Sequence, residues 1–173
     1  EHEPALHALE GLFEKGVLPG QIAEILEPLY RMQEAWDKLI GVHEVGLRVQ
    51  RNAEERVQTM QRIAEIAEER ASDPQSAFVW YQRALLEESD NDHSLSEVER
   101  LANAVGGFPV LANTYAEISA NTKLQNQPRV AAGKRLARVY AEELNDIDRA
   151  EQSYRYVLGL DAQDEDTLHA LDQ

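Results

Sequence analysis

The sequence predicts an all-α protein built from stacked helical hairpins. Ala, Leu, Glu, Lys and Arg together account for 81 of the 173 residues, a composition typical of long helices and helical repeats. Apolar residues recur with the i, i+3, i+4 spacing of amphipathic helices, and no stretch alternates as a strand does. The third observation is an internal repeat. Because one hairpin cannot bury its apolar face alone, repeated hairpins must stack into a continuous core.

The repeat has a period of about 73 residues. Segment 63–95 aligns with segment 136–168 without a gap, and the identical pairs are Ala64/Ala137, Glu69/Glu142, Asp73/Asp146, Ala77/Ala150, Tyr81/Tyr154, Leu85/Leu158 and Leu95/Leu168. The preceding part aligns at 72 residues through Leu29/Leu101, Trp36/Phe108, Leu39/Leu111 and His43/Tyr115. We interpret the chain as one solenoid domain, 1–173, with long copies at about 22–95 and 96–168 and incomplete hairpins at both ends.

Ten helices follow from the periodicity and from the residues that interrupt it. Asp73 is a capping residue directly before Pro74, which favours a helix start. Asn145-Asp146 has the same role in the second copy, while Gly106-Gly107 and Asp161 to Asp164 interrupt other helices. The predicted helices are 4–15, 19–32, 35–50, 54–71, 74–88, 93–105, 108–121, 127–144, 146–159 and 164–172.

Small and large residues alternate as stacked hairpins require. Ala64, Ala77 and their repeat partners are expected where helices approach closely, and Tyr81 and Tyr154 are expected to fill the space between hairpins. At the two ends of the chain, apolar stripes are expected to stay open. These stripes are formed by Leu6, Leu9 and Phe13, and by Leu168 and Leu171.

These patterns resemble the tetratricopeptide repeat family over about 22–168. Leu136-Ala137-x-x-Tyr140 followed by Ala150-x-x-x-Tyr154-x-x-Val157 is the better match, and Ile63-Ala64-x-x-Ala67 followed by Ala77-x-x-x-Tyr81-x-x-Ala84 is similar. The resemblance implies a right-handed α-solenoid of about four to five hairpins. The sequence departs from the family in a turn about one residue longer, and Ser89 and Ala162 replace its closing proline. Hairpins 22–49 and 95–120 are closer to divergent half-a-TPR-like repeats.

The charge and composition exclude several classes of partner. The formal net charge is −15, which opposes nucleic acid and anionic membrane surfaces, and no apolar run is long enough to span a membrane. The chain has no cysteine, so no disulfide or thiolate site is expected. It begins Glu1-His2-Glu3-Pro4 without a signal peptide, and we expect a fragment or processed chain of a cytoplasmic protein.

No metal, cofactor or catalytic activity is predicted. His2 and His7 miss the i, i+4 spacing of helical metal ligands. The segment 90–94 starts like a calcium loop, but Leu95 replaces the required glycine and no Glu occupies the twelfth place; segment 161–166 fails similarly. A solvated turn whose acids favour the next helix N-terminus explains both segments better. Adjacent acids such as Glu68-Glu69 point in different directions on a helix, and no His stands beside an obvious nucleophile.

A candidate groove is suggested by a local concentration of positive charge. Arg129, Lys134, Arg135 and Arg138 lie within ten residues, and Lys134 and Arg138 share one helix face. The family resemblance implies that this face is concave and that neighbouring first helices extend it. The candidate partner-binding residues are Gln58, Gln61, Glu65, Ser96, Arg100, Asn103, Lys134 and Arg138. The alternative is that these cations only offset Glu142, Glu143 and their neighbours.

The expected function is protein or peptide binding as a scaffold or adaptor, without a cofactor. In the family such a groove holds an extended peptide or helix, and Lys or Arg there often binds a carboxylate. The alternative is a regulatory or oligomerisation segment attached to an enzymatic domain elsewhere in a longer chain. With open stripes at both ends, we expect a monomer that associates weakly end to end at high concentration and salt.

Overall fold

The protein is all-helical throughout residues 3–172, the part of the chain that this computed structural model describes. Its α-helices are α1 (Glu3–Glu14), α2 (Pro19–Met32), α3 (Trp36–Val49), α4 (Ala53–Glu69), α5 (Pro74–Glu87), α6 (Asp92–Val105), α7 (Phe108–Ala120), α8 (Asn126–Arg138), α9 (Ile147–Leu160) and α10 (Glu165–Leu171). All ten predicted helices are confirmed. Except at the end of α8, their ends lie within two residues of the predicted ones.

The exception is a π-helical turn, Val139–Glu143, which follows α8 directly. The sequence predicts uninterrupted α-helix to 144, whereas the Leu144 amide bonds five residues back to the Val139 carbonyl at 3.0 Å. The first copy ends α4 in the same way, with the Ala71 amide on the Ile66 carbonyl at 3.0 Å. The wider last turn of the first helix accommodates the additional residue in the turn that connects the two helices of each hairpin.

Both copies then reverse direction through the same turn. Ser72 and Asn145 are 73 positions apart, and both adopt left-handed backbone, with φ of 57° and 51°. Asp73 and Asp146 follow them and accept hydrogen bonds from the amides of residues 76 and 149, at 2.9 and 3.0 Å. These bonds satisfy an orphan amide in the first turn of α5 and α9. The predicted caps are confirmed.

Contacts between Cα atoms divide the chain into two compact units, Glu1–Trp80 and Tyr81–Gln173. In the N-terminal unit, α2 packs against α1 and α3, and α3 against α4. Buried positions of α4 follow its apolar stripe and are Val57, Met60, Ile63, Ala64 and Ala67. Ala77 at the start of α5 is also fully buried, as expected for a close approach between helices.

The stripe on α1 is buried, and the expectation that it stays open is wrong. Phe13 is only 8% exposed and belongs to a core cluster with α2 and α3, against which Leu6 and Leu9 pack. Glu10 holds α1 in place, because its carboxylate accepts hydrogen bonds from the Tyr30 hydroxyl at 2.7 Å and the Lys38 ammonium at 2.8 Å. At the other stripe, Leu168 of α10 is 44% exposed.

In the C-terminal unit, α8 packs against both α7 and α9. Gly133 lies at this double contact, and a Cβ added there would stand 2.6 Å from Val157 Cγ2 and 3.0 Å from Ser119 Oγ. Ala137 and Ala150, the second-copy partners of Ala64 and Ala77, are also buried. Small side chains on α8 therefore allow two helices to approach it closely.

We predict that Gly133→Ala lowers the free energy of unfolding by about 1–3 kcal/mol, because overpacking displaces the stiff Val157 side chain. Gly159→Ala is the matched control. Gly159 is helical, and a Cβ added to it would meet nothing within 4 Å, so alanine there should stabilise by about 1 kcal/mol through helix propensity. Urea unfolding of both variants measures the two signs, and equal effects would contradict the close contact at Gly133.

Candidate functional site

A cavity in the C-terminal unit runs along α8 and has a volume of about 850 Å³. We call it the α8 cavity. Helix α8 forms one wall, and the end of α9, the following loop and α10 form the other. Its lining residues are Asn126, Gln127, Val130, Ala131, Lys134, Arg135, Arg138, Tyr154, Leu160, Asp161, Asp164, Asp166 and Thr167.

The wall of α8 follows from helical spacing. Val130, Lys134 and Arg138 are four residues apart and share the face that lines the cavity. The buried residues of α8, Ala132, Gly133, Leu136 and Ala137, occupy the opposite face. The predicted common face of Lys134 and Arg138 is thus present, and the packing at Gly133 fixes its direction.

Lys134 is bonded across the cavity to the start of α10. Its Nζ donates to Asp166 Oδ2 at 2.6 Å and to Asp164 Oδ2 at 3.1 Å. The hydrogen bond to Asp166 is the main cause that raises the pKa of the Lys134 ammonium. Asp164 also caps α10, because its Oδ1 accepts from the Thr167 amide at 2.9 Å. The acids that neutralise Lys134 are therefore those of α10, whereas the sequence suggested Glu142 and Glu143.

Arg135 forms a network with Glu99 on α6 and Tyr115 on α7. Its Nε lies 3.6 Å from Glu99 Oε1, and the same oxygen accepts a hydrogen bond from the Tyr115 hydroxyl at 2.7 Å. Burial, followed by the hydrogen bond to Glu99, raises the pKa of Tyr115. The Arg135 guanidinium is thus paired with Glu99, although its side chain remains 31% exposed.

Arg138 differs from both neighbours, because its guanidinium makes no hydrogen bond or ion pair within residues 3–172. The residue is exposed. It lines the α8 cavity and also an adjacent recess of about 390 Å³ with Glu99, Asn103 and Glu142. An exposed guanidinium with five unused donors is a ready partner for a carboxylate.

The opposite end of the cavity is formed where α8 begins. The Asn126 amide nitrogen donates to the Leu160 carbonyl at 3.4 Å, which places Asp161 beside the first turn of α8. Arg129, the fourth cation of the cluster, is used structurally: it donates to the Ser119 carbonyl at 3.0 Å and to the Tyr156 hydroxyl at 2.8 Å. It does not line the cavity.

Tyr154 forms part of the cavity wall, and the expectation that it is fully buried like Tyr81 is wrong. Tyr81 is 2% exposed, whereas Tyr154 is only partly buried and faces the cavity. Burial is the main cause that raises the pKa of Tyr154. Thr167 at the base of α10 is fully buried, and its hydroxyl oxygen has no hydrogen-bond partner among the described residues.

In the N-terminal unit, the predicted residues Gln58, Gln61 and Glu65 line one pocket of about 390 Å³ with His43, Gln50, Glu55, Thr59 and Arg62. Gln61, Arg62 and Glu65 stand 73 positions before Lys134, Arg135 and Arg138. Of these three positions, only that of Arg62 and Arg135 carries the same charge in both copies. The first copy therefore has Glu where the second copy has the exposed Arg138.

The network around Arg135 has a counterpart in the N-terminal unit. Glu27 Oε1 lies 4.0 Å from Arg62 and 4.0 Å from His43 Nε2, and these residues precede Glu99, Arg135 and Tyr115 by the repeat spacing. The His43 side chain is 10% exposed, and burial lowers the pKa of its imidazole. The repeat alignment pairs these residues in the sequence, but their mutual contact emerges only in the fold.

The remaining candidates do not line the α8 cavity. Ser96 and Arg100 are exposed on α6, where Arg100 donates to Glu97 at 2.7 and 2.9 Å. Asn103 shares the recess with Arg138. Of the eight predicted residues, the structure therefore groups Lys134 with Arg138, Arg138 with Asn103, and Gln58 with Gln61 and Glu65.

The acidic turns act as helix caps. Asn91 accepts from the Ser94 amide at 3.0 Å at the start of α6, as Asp164 does at the start of α10. Within the described part of the chain, no three His, Asp or Glu side chains are grouped as a metal ion requires. His2 lies outside the described residues.

No family model fits the chain, and a comparison with curated proteins found no match. Among residues 3–172, no helix has both the length and the apolar character needed to cross a membrane.

We predict that Asp164→Ala loosens α10, because it removes both the cap and one ion pair with Lys134. A lost cap costs about 1 kcal/mol, so amide exchange at Leu168 and Leu171 should accelerate about fivefold by NMR. Asp166→Ala is the control. It removes the ion pair that the exposed Asp166 makes with Lys134 but keeps the cap, and should have a smaller effect. Equal exchange in both variants would mean that the cap does not hold α10.

Proposed function

We propose that this chain is a peptide-binding scaffold or adaptor module whose α8 cavity receives an acidic group of a partner protein. The observation that carries the proposal is Arg138, an exposed guanidinium without an ion pair in the described residues, on the wall of an elongated cavity. Lys134 and Arg135 are already engaged by Asp164, Asp166 and Glu99. The acidic group therefore binds Arg138 first.

The cavity suits a segment of another protein. Its volume of about 850 Å³ lies in the range of ligand pockets, and it combines apolar side chains with a few polar groups that fix orientation. Val130, Ala131 and Leu160 offer apolar contact between the charged residues. The remaining wall consists of capping and ion-paired side chains, a set suited to binding rather than to bond making or breaking.

The net charge of −15 does not prevent an acidic group from binding at Arg138. Interactions between exposed charges are screened over about 8 Å at physiological ionic strength. Nearby charges therefore determine the local field: Arg138 shares the cavity with Arg135 and the ion-paired Lys134, and the adjacent recess with Glu99 and Glu142. Ligands that carry several acidic residues are disfavoured by the rest of the surface.

We also propose that the hairpins stack in the manner of tetratricopeptide repeats. Two features support this arrangement. The starts of α4 and α8, and of α5 and α9, are 73 residues apart, and both pairs are joined by the same left-handed turn and aspartate cap. The buried alanine pairs Ala64/Ala137 and Ala77/Ala150 occupy the close-packing positions of such repeats.

The test uses the hexapeptide acetyl-Glu-Ser-Leu-Leu-Ser-Gln-amide, titrated into ¹⁵N-labelled protein and followed by NMR. We expect the amide signals of α8 to shift, and Arg138→Gln to weaken binding about fivefold, since an exposed ion pair contributes up to about 1 kcal/mol. The peptide with Gln in place of Glu should bind the parent protein as weakly as the original peptide binds the variant.

The matched control is Arg155→Gln. Arg155 is exposed on α9, pairs with Glu151 and does not line the cavity. Arg155→Gln changes the net charge by the same amount as Arg138→Gln, and it should leave the affinity for the hexapeptide unchanged. Binding that survives in Arg138→Gln, or that falls equally in both variants, would contradict a site at Arg138. Lys134 is unsuitable as the test residue, because its loss also releases α10.

A further inference from the structure

The charges of the α8 cavity are separated along its length. Asp161 lies beside the first turn of α8, since the neighbouring Leu160 carbonyl accepts a hydrogen bond from Asn126. Arg138 lies at the last residue of α8. Arg138 lies twelve positions after Asn126 on α8, which corresponds to about 18 Å along the axis. Asp161 therefore lies towards one end of the cavity and Arg138 towards the other.

The centre of the cavity carries little uncompensated charge at the wall of α8. The Lys134 ammonium is held by Asp164 and Asp166, and Arg135 is paired with Glu99. The other α8 side chains there, Val130 and Ala131, are apolar. Tyr154 and Leu160 face them from α9. This central part offers contact to apolar side chains of a ligand.

Asp161 can accept further hydrogen bonds. The residue is exposed, its Oδ1 accepts from the Gln163 amide at 3.1 Å, and it makes no ion pair with another described residue. A carboxylate has about four acceptor sites on its two oxygens. Most of its capacity is therefore open to a donor that enters the cavity from this end.

We propose that the α8 cavity selects an extended segment of about six residues with opposite charges at its two ends. An acidic residue binds Arg138, apolar residues lie over Val130 and Tyr154, and a basic residue binds Asp161. The length follows from the span, because an extended chain covers about 3.3 Å per residue. The proposal rests on the proposed function and adds the basic end, which acidic binding at Arg138 alone does not require.

The arrangement also determines what is rejected. A ligand that is acidic throughout would place its far end beside the exposed Asp161. Two neighbouring carboxylates repel each other. The order of charges therefore contributes specificity as well as affinity.

The experiment compares two peptides that differ at the last residue: acetyl-Glu-Ser-Leu-Leu-Ser-Gln-amide and acetyl-Glu-Ser-Leu-Leu-Ser-Lys-amide. In NMR titrations of the parent protein, we expect the lysine peptide to bind about two- to fourfold more tightly, as for an exposed ion pair. The amide signals of Asp161 to Gln163 should shift with the lysine peptide only.

Asp161→Asn should abolish the advantage of the lysine peptide while the glutamine peptide binds as before. The asparagine side chain can still accept from the Gln163 amide, so the loop keeps its bond. Asp90→Asn is the matched control: Asp90 is exposed in the same unit and does not line the cavity. The control separates a specific contact from attraction of any lysine to a chain of charge −15.

The outcomes distinguish the two proposals. If the glutamine peptide binds through Arg138 but lysine adds nothing, or adds the same in Asp161→Asn, the charge-separated ligand is wrong and the proposed function stands. If neither peptide binds, both proposals are wrong. An advantage for lysine that is lost in Asp161→Asn and kept in Asp90→Asn supports the inference.

Discussion

The close approach of α8 to α7 and α9 at Gly133 determines the form of the C-terminal unit. With only 2.6 Å between an added Cβ and Val157 Cγ2, no larger residue fits without displacing the Val157 side chain. The contact fixes the rotation of α8 about its axis, because Ala132, Leu136 and Ala137 must follow Gly133 inward. Val130, Lys134 and Arg138 are then turned outward. The open face of α8 is thus a consequence of packing on its other side.

Local chemistry determines the helices, and for this reason the sequence alone predicts them well. The caps at Asp73 and Asp146 involve amides three residues away, and amphipathic spacing is likewise a short-range signal. Contacts between residues far apart in the sequence, in contrast, depend on tertiary packing and cannot be predicted from local spacing. Lys134 is 30 residues from Asp164, while Glu142 and Glu143 are closer in sequence, so spacing along one helix suggests the wrong acids. The expectations for Tyr154 and Leu6 fail for a related reason, since their burial depends on how α10 and α2 pack.

The two copies conserve their framework and differ in the residues that face outward. Glu27 with Arg62 and Glu99 with Arg135 form the same carboxylate–guanidinium pair at equivalent positions. One turn further along α4 and α8, Glu65 occupies the place of Arg138. Together with Gln61 in place of Lys134, this reversal changes the charge of the outward face of the helix. The fold tolerates it because the side chains of Glu65 and Arg138 are exposed.

The exchange of His43 for Tyr115 within this shared framework makes the two units respond differently to acid. His43 is surrounded by Glu27, Arg31 and Arg62, and burial holds its pKa below the ordinary value of 6.5. The unfolded chain therefore binds a proton more readily than the folded one, and the free energy of unfolding falls as pH decreases below about 6.5. Tyr115 is already protonated at neutral pH, and its pKa is raised further, so mild acid adds no proton there. Mild acidification thus penalises the histidine-containing network of the N-terminal unit and leaves its tyrosine counterpart in the C-terminal unit without a protonation step.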